Sequence, residues 1–227
     1  MQYSILGDSL PIVICNLNEN ETVITQNGGM SWMTENMQMQ TTTNGGFGKA
    51  VGRIFAGESM FQNRYTAVGG PGQIAFSSSL PGSIRVLEVG NGGPDYIVQK
   101  RGFLAGSSGI EVSAFLQKKL STGIFGGEGF VLQKISGQGV AFIEIDGYAC
   151  EYELQPGQSM VISSGYLAAM TDTCTMEIKS TGSAKNAIFG GEGIFNTVVH
   201  GPGKIILQSM PCSALGRAIQ PYVVTGG

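Results

Sequence analysis

Charge is scarce in this sequence: Asp, Glu, Lys and Arg make up 13% of it, about half the usual share. The 13 basic residues are scattered, with no cluster beyond Lys100-Arg101 and Lys118-Lys119, and the net charge is −3. Phosphate-dominated nucleic-acid binding needs a basic face, so the composition argues against it. Histidine occurs once, at His200, beside a Gly-Pro-Gly turn. A cupin-type metal centre needs two or three histidines plus a carboxylate on neighbouring strands, which this chain cannot supply. His200 reads instead as a turn histidine making a local hydrogen bond. Without a G-x-S-x-G elbow, a Ser-His-Asp triad has little support either.

Cysteine is equally sparse. Cys15, Cys150, Cys174 and Cys212 form no C-x-x-C pair, and a chain of 227 residues does not need disulfide staples. They read as buried, reduced thiols in a reducing cytosol, so the expected location is cytoplasmic. The N-terminal Met1-Gln2-Tyr3-Ser4-Ile5-Leu6 has no basic region and no long apolar stretch, so no signal peptide is expected. Apolar runs such as Ile12-Val13-Ile14-Cys15 are far too short for a transmembrane span.

Glycine, by contrast, is abundant: 36 residues, more than twice the average frequency. Many tight turns and few charges leave a neutral surface of the kind that associates, and a homo-oligomer is expected. The sharpest feature is a pentapeptide written three times, as Ile54-Phe55-Ala56-Gly57-Glu58, Ile124-Phe125-Gly126-Gly127-Glu128 and Ile188-Phe189-Gly190-Gly191-Glu192. Three residues after each glutamate stands Phe61, Val131 or Phe195, and seven after stands Tyr65, Ile135 or Val199. G-x-G turns follow at Gly137-Gln138-Gly139 and Gly201-Pro202-Gly203, and a few residues later in the first copy, at Gly70-Pro71-Gly72. A signature that recurs in step with its flanking strands belongs to how units are built.

The expected fold is therefore all-β: three homologous antiparallel β-sandwich or barrel units, 1–81, 82–146 and 147–227 with a C-terminal tail, packed about a pseudo-threefold axis as one body. Strands are expected at Ile12–Leu17, Thr22–Thr25, Met60–Tyr65, Ile74–Phe76, Ile84–Val89, Tyr96–Gln99, Leu104–Val112, Phe130–Ile135, Val140–Ile145, Cys150–Leu154, Met160–Ile162, Thr175–Ile178, Ile194–Val199 and Lys204–Leu207. Met30 to Thr43 alternates Met with polar residues and reads as strand, with Met30, Met33, Met37 and Met39 as core filler. Short helical turns are expected near Ala50–Phe55 and at Ser113–Leu120.

The stretch from Phe189 to Gly203, with the I-F-[AG]-G-E core shared by all three copies, resembles the "altered inheritance of mitochondria" family of uncharacterised β proteins. The resemblance runs over essentially the whole chain. It implies a fold like that of the tryptophan-RNA-binding attenuation protein and an oligomer, and a mitochondrial relative is linked to inner-membrane organisation. It supplies no catalytic residues and no cofactor. It does not imply RNA binding, which would need a basic rim and a tryptophan pocket.

A phosphate-loop reading of the pentapeptide fails, because glutamate stands where a Walker loop needs Lys-Ser/Thr. Phe55, Gly57, Glu58, Phe125, Gly127, Glu128, Phe189, Gly191 and Glu192 thus form the candidate motif between repeats. In the preferred reading each glutamate accepts backbone N–H bonds from its own turn and pins one unit to the next. In the other, Glu58, Glu128 and Glu192 converge on a cation or a ligand amine, at the cost of mutual repulsion. A third possibility sets the Phe-Gly loops beside Lys49, Arg53, Lys118, Lys119 and Lys185 as a peripheral membrane face. The functional expectation is a non-enzymatic, self-associating scaffold or binding module with no metal and no cofactor. The alternatives are a small-ligand or cation binder (or an uncharacterised enzyme) with sites between repeats, and a membrane-associated organising protein.

Overall fold

The β-branched runs fold as the antiparallel strands that their alternation predicts. The computed structural model describes residues 1–26, 29–43, 61–115, 132–163, 165–180 and 195–223. The first sheet has the order β1-β2-β7-β4, from Gln2–Leu6, Ile12–Leu17, Gly72–Ser77 and Met30–Met33. The second runs β5-β6-β3-β10-β13-β8, from Met37–Thr43, Phe61–Ala67, Thr22–Gln26, Phe103–Ser107, Gly139–Asp146 and Gly82–Val89. The third runs β11-β12-β9-β16-β19-β14, from Ile110–Phe115, Leu132–Gly137, Tyr96–Gln99, Leu167–Thr171, Gly203–Gln208 and Ala149–Leu154. The fourth is β15-β18-β17, from Ser159–Ser163, Phe195–His200 and Thr175–Ser180. Among the described residues one α-helix, α1, spans Cys212–Ile219. The chain is all-β with antiparallel sheets, as expected, and among the described residues no sheet closes into a barrel.

Each gap between successive sheets is filled by one apolar cluster. Val13, Leu17, Ile74, Phe76 and Phe142 lie between the first and second sheets. Ile24, Val98, Ile135, Ile143 and Ile206 lie between the second and third. Ile97, Met170, Val199 and Ile205 lie between the third and fourth. Each such side chain contributes about 1.5–3 kcal/mol by leaving water, so the apolar alternation of β2 sets which of its faces turns inward. Strands in the middle of the six-stranded sheets are buried on both faces: every residue of β16 is buried, and so are the first four of β10. Their small residues, Ala105, Gly106, Ala168 and Ala169, let the sheets approach on either side.

Several expectations are corrected. Met30 to Thr43 is not one strand: Thr34 and Asn36 turn the chain between β4 and β5, with the Thr34 hydroxyl on Asn36 Oδ1 at 2.7 Å. Only Met37 of its four methionines is fully buried, while Met33 and Met39 are exposed. The expected strand Leu104–Val112 is broken by a turn, and Ser113–Phe115, expected to begin a helix, continue β11. Residues 116–120 and the helical turn near Ala50–Phe55 lie outside the described residues. Two strands, β1 and β16, and the helix α1 were not foreseen. No cysteine is paired, but burial holds only for Cys15 and Cys174; Cys150 is half-buried and Cys212 is exposed on α1. Burial pushes the Cys15 thiol up to about 12, which makes it inert at neutral pH.

Candidate functional site

The candidate motif residues Phe55, Gly57, Glu58, Phe125, Gly127, Glu128, Phe189, Gly191 and Glu192 all lie outside the described residues. So do Lys49, Arg53, Lys118, Lys119 and Lys185 of the membrane reading. The strands that follow the three pentapeptides, β6, β12 and β18, are placed. Each is the middle strand of a block: β3-β6-β5, β9-β12-β11 and β15-β18-β17. A second block order, β2-β7-β4, occurs again as β8-β13-β10 and as β14-β19-β16.

Two details align these blocks residue by residue. The first is a register shift on β4, β10 and β16. It falls between Met30 and Trp32, between Phe103 and Ala105, and between Leu167 and Ala169. One extra residue in a strand bends it and fixes where its partner sits. The second is a hydroxyl at or just after each strand's end. Thr34 Oγ1 accepts from the Gln73 N–H at 3.1 Å, Ser107 Oγ from the Val140 N–H at 3.0 Å, and Thr171 Oγ1 from the Lys204 N–H at 3.1 Å. The last glycine of the G-x-G turn explains itself here. A Cβ on Gly139 would stand 2.0 Å from Ser107 Oγ, and one on Gly203 would stand 2.3 Å from Thr171 Oγ1. Both glycines hold a positive φ, so they supply room as well as conformation.

The blocks are joined edge to edge. β3 pairs with β10 through Thr25↔Ala105, Ile24↔Gly106 and Val23↔Ser107. β9 pairs with β16 through Val98↔Ala169, Ile97↔Met170 and Tyr96↔Thr171. The ladder runs one step further in the second junction, where the Asp172 N–H donates to the Asp95 carbonyl at 2.9 Å. Lys134 bridges the same junction, with Nζ 2.8 Å from Asp95 and 3.3 Å from Asp172. At the two ends of the molecule the corresponding strands, β4 and β15, border no further strand among the described residues. Exposure records the difference. Val161 on β15 is 65% exposed, whereas Ile24 and Ile97, at the same place in their blocks, are 0% and 2% exposed. Trp32 on β4 is 47% exposed, against 0% and 1% for Ala105 and Ala169. Met33, with Met170 as its buried counterpart, is also exposed.

His200 is not a turn residue with a local partner. At the end of β18 its Nδ1 lies 2.7 Å from Ser159 Oγ on β15, and its Nε2 lies 3.2 Å from Glu177 Oε1 on β17. Lys179 Nζ reaches the same carboxylate oxygen at 2.8 Å, and that hydrogen bond, followed by the one from His200, lowers the Glu177 pKa. The Ser-His-Glu order resembles a nucleophile relay, but all three side chains are solvent-accessible on an open sheet face. The arrangement ties three strands in register and leaves Glu177 shared between Lys179 and His200. Among the described residues no group of His, Cys, Asp and Glu has a metal-holding arrangement. A cleft of about 330 Å³ lies at the first sheet, beside the end of β4, lined by Gln2, Asn16, Thr34, Pro71 and Gln73. No described helix is long and apolar enough to cross a membrane.

Comparison with known proteins adds a family and a fold. A family model described as mitochondrial biogenesis AIM24 matches residues 3–210. An uncharacterized protein of Streptococcus pyogenes serotype M6 is 29% identical over 225 residues, which is 95% of this chain and 88% of that protein. A crystal structure of a Streptococcus pyogenes protein superposes with a TM-score of 0.78 at 25% identity, covering 98% of this chain and 99% of that one. Neither relative carries the name of an activity.

Proposed function

The chain belongs to the AIM24 family, and from that premise we propose that it is a non-enzymatic scaffold or binding module that associates with itself. One observation carries the reading: among the described residues β4 and β15 border no further strand, and Trp32, Met33 and Val161 on them are exposed where their counterparts inside the molecule are buried. An open edge offers unpaired N–H and C=O groups to another strand, and natural proteins leave one flat and apolar only where something covers it. In this reading the chain is three successive units, 1–81, 82–146 and 147–227, that works in the cytoplasm, where its unpaired cysteines stay reduced. Sedimentation velocity over a range of concentrations tests it. A particle several chains in mass is expected, and a single-chain mass at the highest soluble concentration overturns it.

A second reading, a small-ligand or cation binder, is favoured by the amide-lined cleft beside Thr34 and Gln73. For the repeated glutamates we keep the structural role, as joints between units. Stoichiometric metal on the purified protein that disappears in Glu192→Gln would replace that role with the binding one.

A further inference from the structure

The first sheet carries a row of uncharged polar side chains that the matching blocks lack. Gln2 of β1 stands opposite Asn16 of β2, and Asn16 stands opposite Gln73 of β7. Thr34 continues the row: its N–H donates to the Gln73 carbonyl at 2.9 Å, and its Oγ1 accepts from the Gln73 N–H at 3.1 Å. Residues in register on antiparallel strands share a face, so these four lie side by side on strands about 4.7–4.9 Å apart. Val13, Cys15, Leu17, Ile74 and Phe76 fill the opposite face. The matching rows are Glu88–Val140–Ser107 in the second sheet and Glu153–Lys204–Thr171 in the third. A hydroxyl is common to all three rows and belongs to the block. The amides are not, and Gln2 has no counterpart, because β8 and β14 border no further strand among the described residues.

The hydrogen bonds within the row decide what it can still offer. Gln73 Nε2 donates to Asn16 Oδ1 at 2.9 Å. That bond orients both amides, leaving Asn16 Nδ2 to donate and Gln73 Oε1 to accept. The Gln2 amide has no hydrogen-bond partner among the described residues. Thr34 is occupied, since its hydroxyl also donates to Asn36 Oδ1 at 2.7 Å. Asn36 Nδ2 in turn donates to the Gly70 and Pro71 carbonyls at 3.2 and 3.1 Å, which fixes the wall behind the row. The cleft over these residues measures about 330 Å³, at the lower end of the roughly 300–1,000 Å³ of small-molecule sites. No charged and no aromatic side chain is among the described residues that line it.

We propose that this row binds a neutral polyhydroxylated ligand, a sugar of about one or two rings, across β1, β2 and β7. This rests on the small-ligand reading above and names the class of ligand. A sugar hydroxyl both donates and accepts, so adjacent hydroxyls can take the Asn16 donor and the Gln73 acceptor, with the Gln2 amide free to serve either way. Leu17 and Pro71 add apolar contact for ring C–H groups. Ionic ligands do not fit: a phosphate or carboxylate would find no cation in the cleft, and a metal ion no carboxylate. A nucleobase would find no aromatic ring to stack on. Neutral hydrogen bonds made in exchange for water add little each, so a dissociation constant of roughly millimolar size is expected.

A glycan array probed with the full chain, followed by titration of the isotope-labelled chain, tests the assignment. The probes for titration are the strongest neutral glycan on the array, maltose, inorganic phosphate, calcium and adenosine. A neutral sugar is expected to shift the side-chain amide signals of Gln2, Asn16 and Gln73 to saturation, equally at low and high salt. Phosphate, calcium and adenosine are expected to leave those signals in place. If one of these three moves them and no neutral sugar does, the proposal is overturned while the small-ligand reading stands. If nothing moves them, both fall. Asn16→Ala and Gln2→Ala change exposed side chains, so they are expected to keep the fold by circular dichroism and to weaken sugar binding about tenfold. Glu153→Ala, at the position in the third sheet that matches Asn16, is expected to leave binding unchanged. An equal loss in Glu153→Ala, or none in Asn16→Ala, would place the sugar elsewhere and overturn the proposal.

Discussion

The internal junctions and the open ends of this molecule are built from matching strands, yet on one face they differ sharply in burial. At β9 and β16 the residues Ile97, Val98, Ala169 and Met170 are out of water on both sides. At β15 and β4 the residues in the same places, Val161, Trp32 and Met33, face solvent. The bulge and the hydroxyl bond are present at the open β4 as they are at β10 and β16, so neither depends on a neighbouring block. What a junction adds is a ladder, an apolar seal and, in one case, the Lys134 bridge. A strand edge is thus shaped by its own block.

The comparison can be broken most directly at matched positions. Ile97→Ala empties a buried site and is expected to cost about 2–5 kcal/mol, whereas Val161→Ala in the single-chain state is expected to stay within about 0.5 kcal/mol. Urea unfolding at low protein concentration checks both, and equal losses would mean that β15 is covered in the single chain. A smaller effect separates the hydroxyls. Thr171→Val leaves the Lys204 N–H without its acceptor in a buried place and is expected to cost about 1–3 kcal/mol. Thr34→Val exposes the Gln73 N–H to water and is expected to change little. If association covers β4, the Thr34→Val loss should grow with protein concentration, which the same unfolding series would show.

The smallest contrast concerns acid. Burial raises the Glu144 pKa above its ordinary 4.5, against the hydrogen bonds from Ser79 and Ser78. The folded chain then holds this proton more tightly than the unfolded chain, so the contribution is full below 4.5 and is lost as pH rises through the raised value. Glu177, on the outermost sheet, is shifted the other way by Lys179 and then by His200. Its contribution is present above 4.5 and is lost as pH falls through the lowered value. Glu144→Gln should flatten the first change and Glu177→Gln the second. Urea midpoints followed against pH would contradict the assignment if both variants altered the same limb.

Strands with one wet face were legible because alternation reports a face: β2 falls on the expected bounds, its buried Val13, Cys15 and Leu17 alternating with Ile12, Ile14 and Asn16. β16 was not, since Leu167-Ala168-Ala169-Met170-Thr171 is buried on both faces and shows no period. The helix α1 was missed for a different reason. Pro211 and Cys212 offer no capping side chain, and one buried turn of pattern is absent because none of its residues is buried. Met30 to Thr43 kept its period of two through the Thr34–Asn36 turn, which hid the break between β4 and β5. For the site, the pentapeptides gave the spacing of the blocks but lie outside the described residues. The partners of His200 could not be read, because Ser159 and Glu177 stand 41 and 23 residues away and are brought close by strand pairing. Open edges are illegible for the same reason: a strand's sequence shows its faces, while its sides depend on which neighbours the topology leaves it.

That β4 and β15 are unlike each other has a consequence in the language of polymer chemistry. If self-association joins these two edges, each copy is a monomer with two different ends, growth has a direction, and every open assembly presents one β4 and one β15. On that reading a copy with Val161 replaced by glutamate would still offer β4 and is expected to act as a chain stopper. Added in small amounts it is expected to shorten assemblies in proportion to its share. The number of chains per particle then becomes a quantity set by stoichiometry.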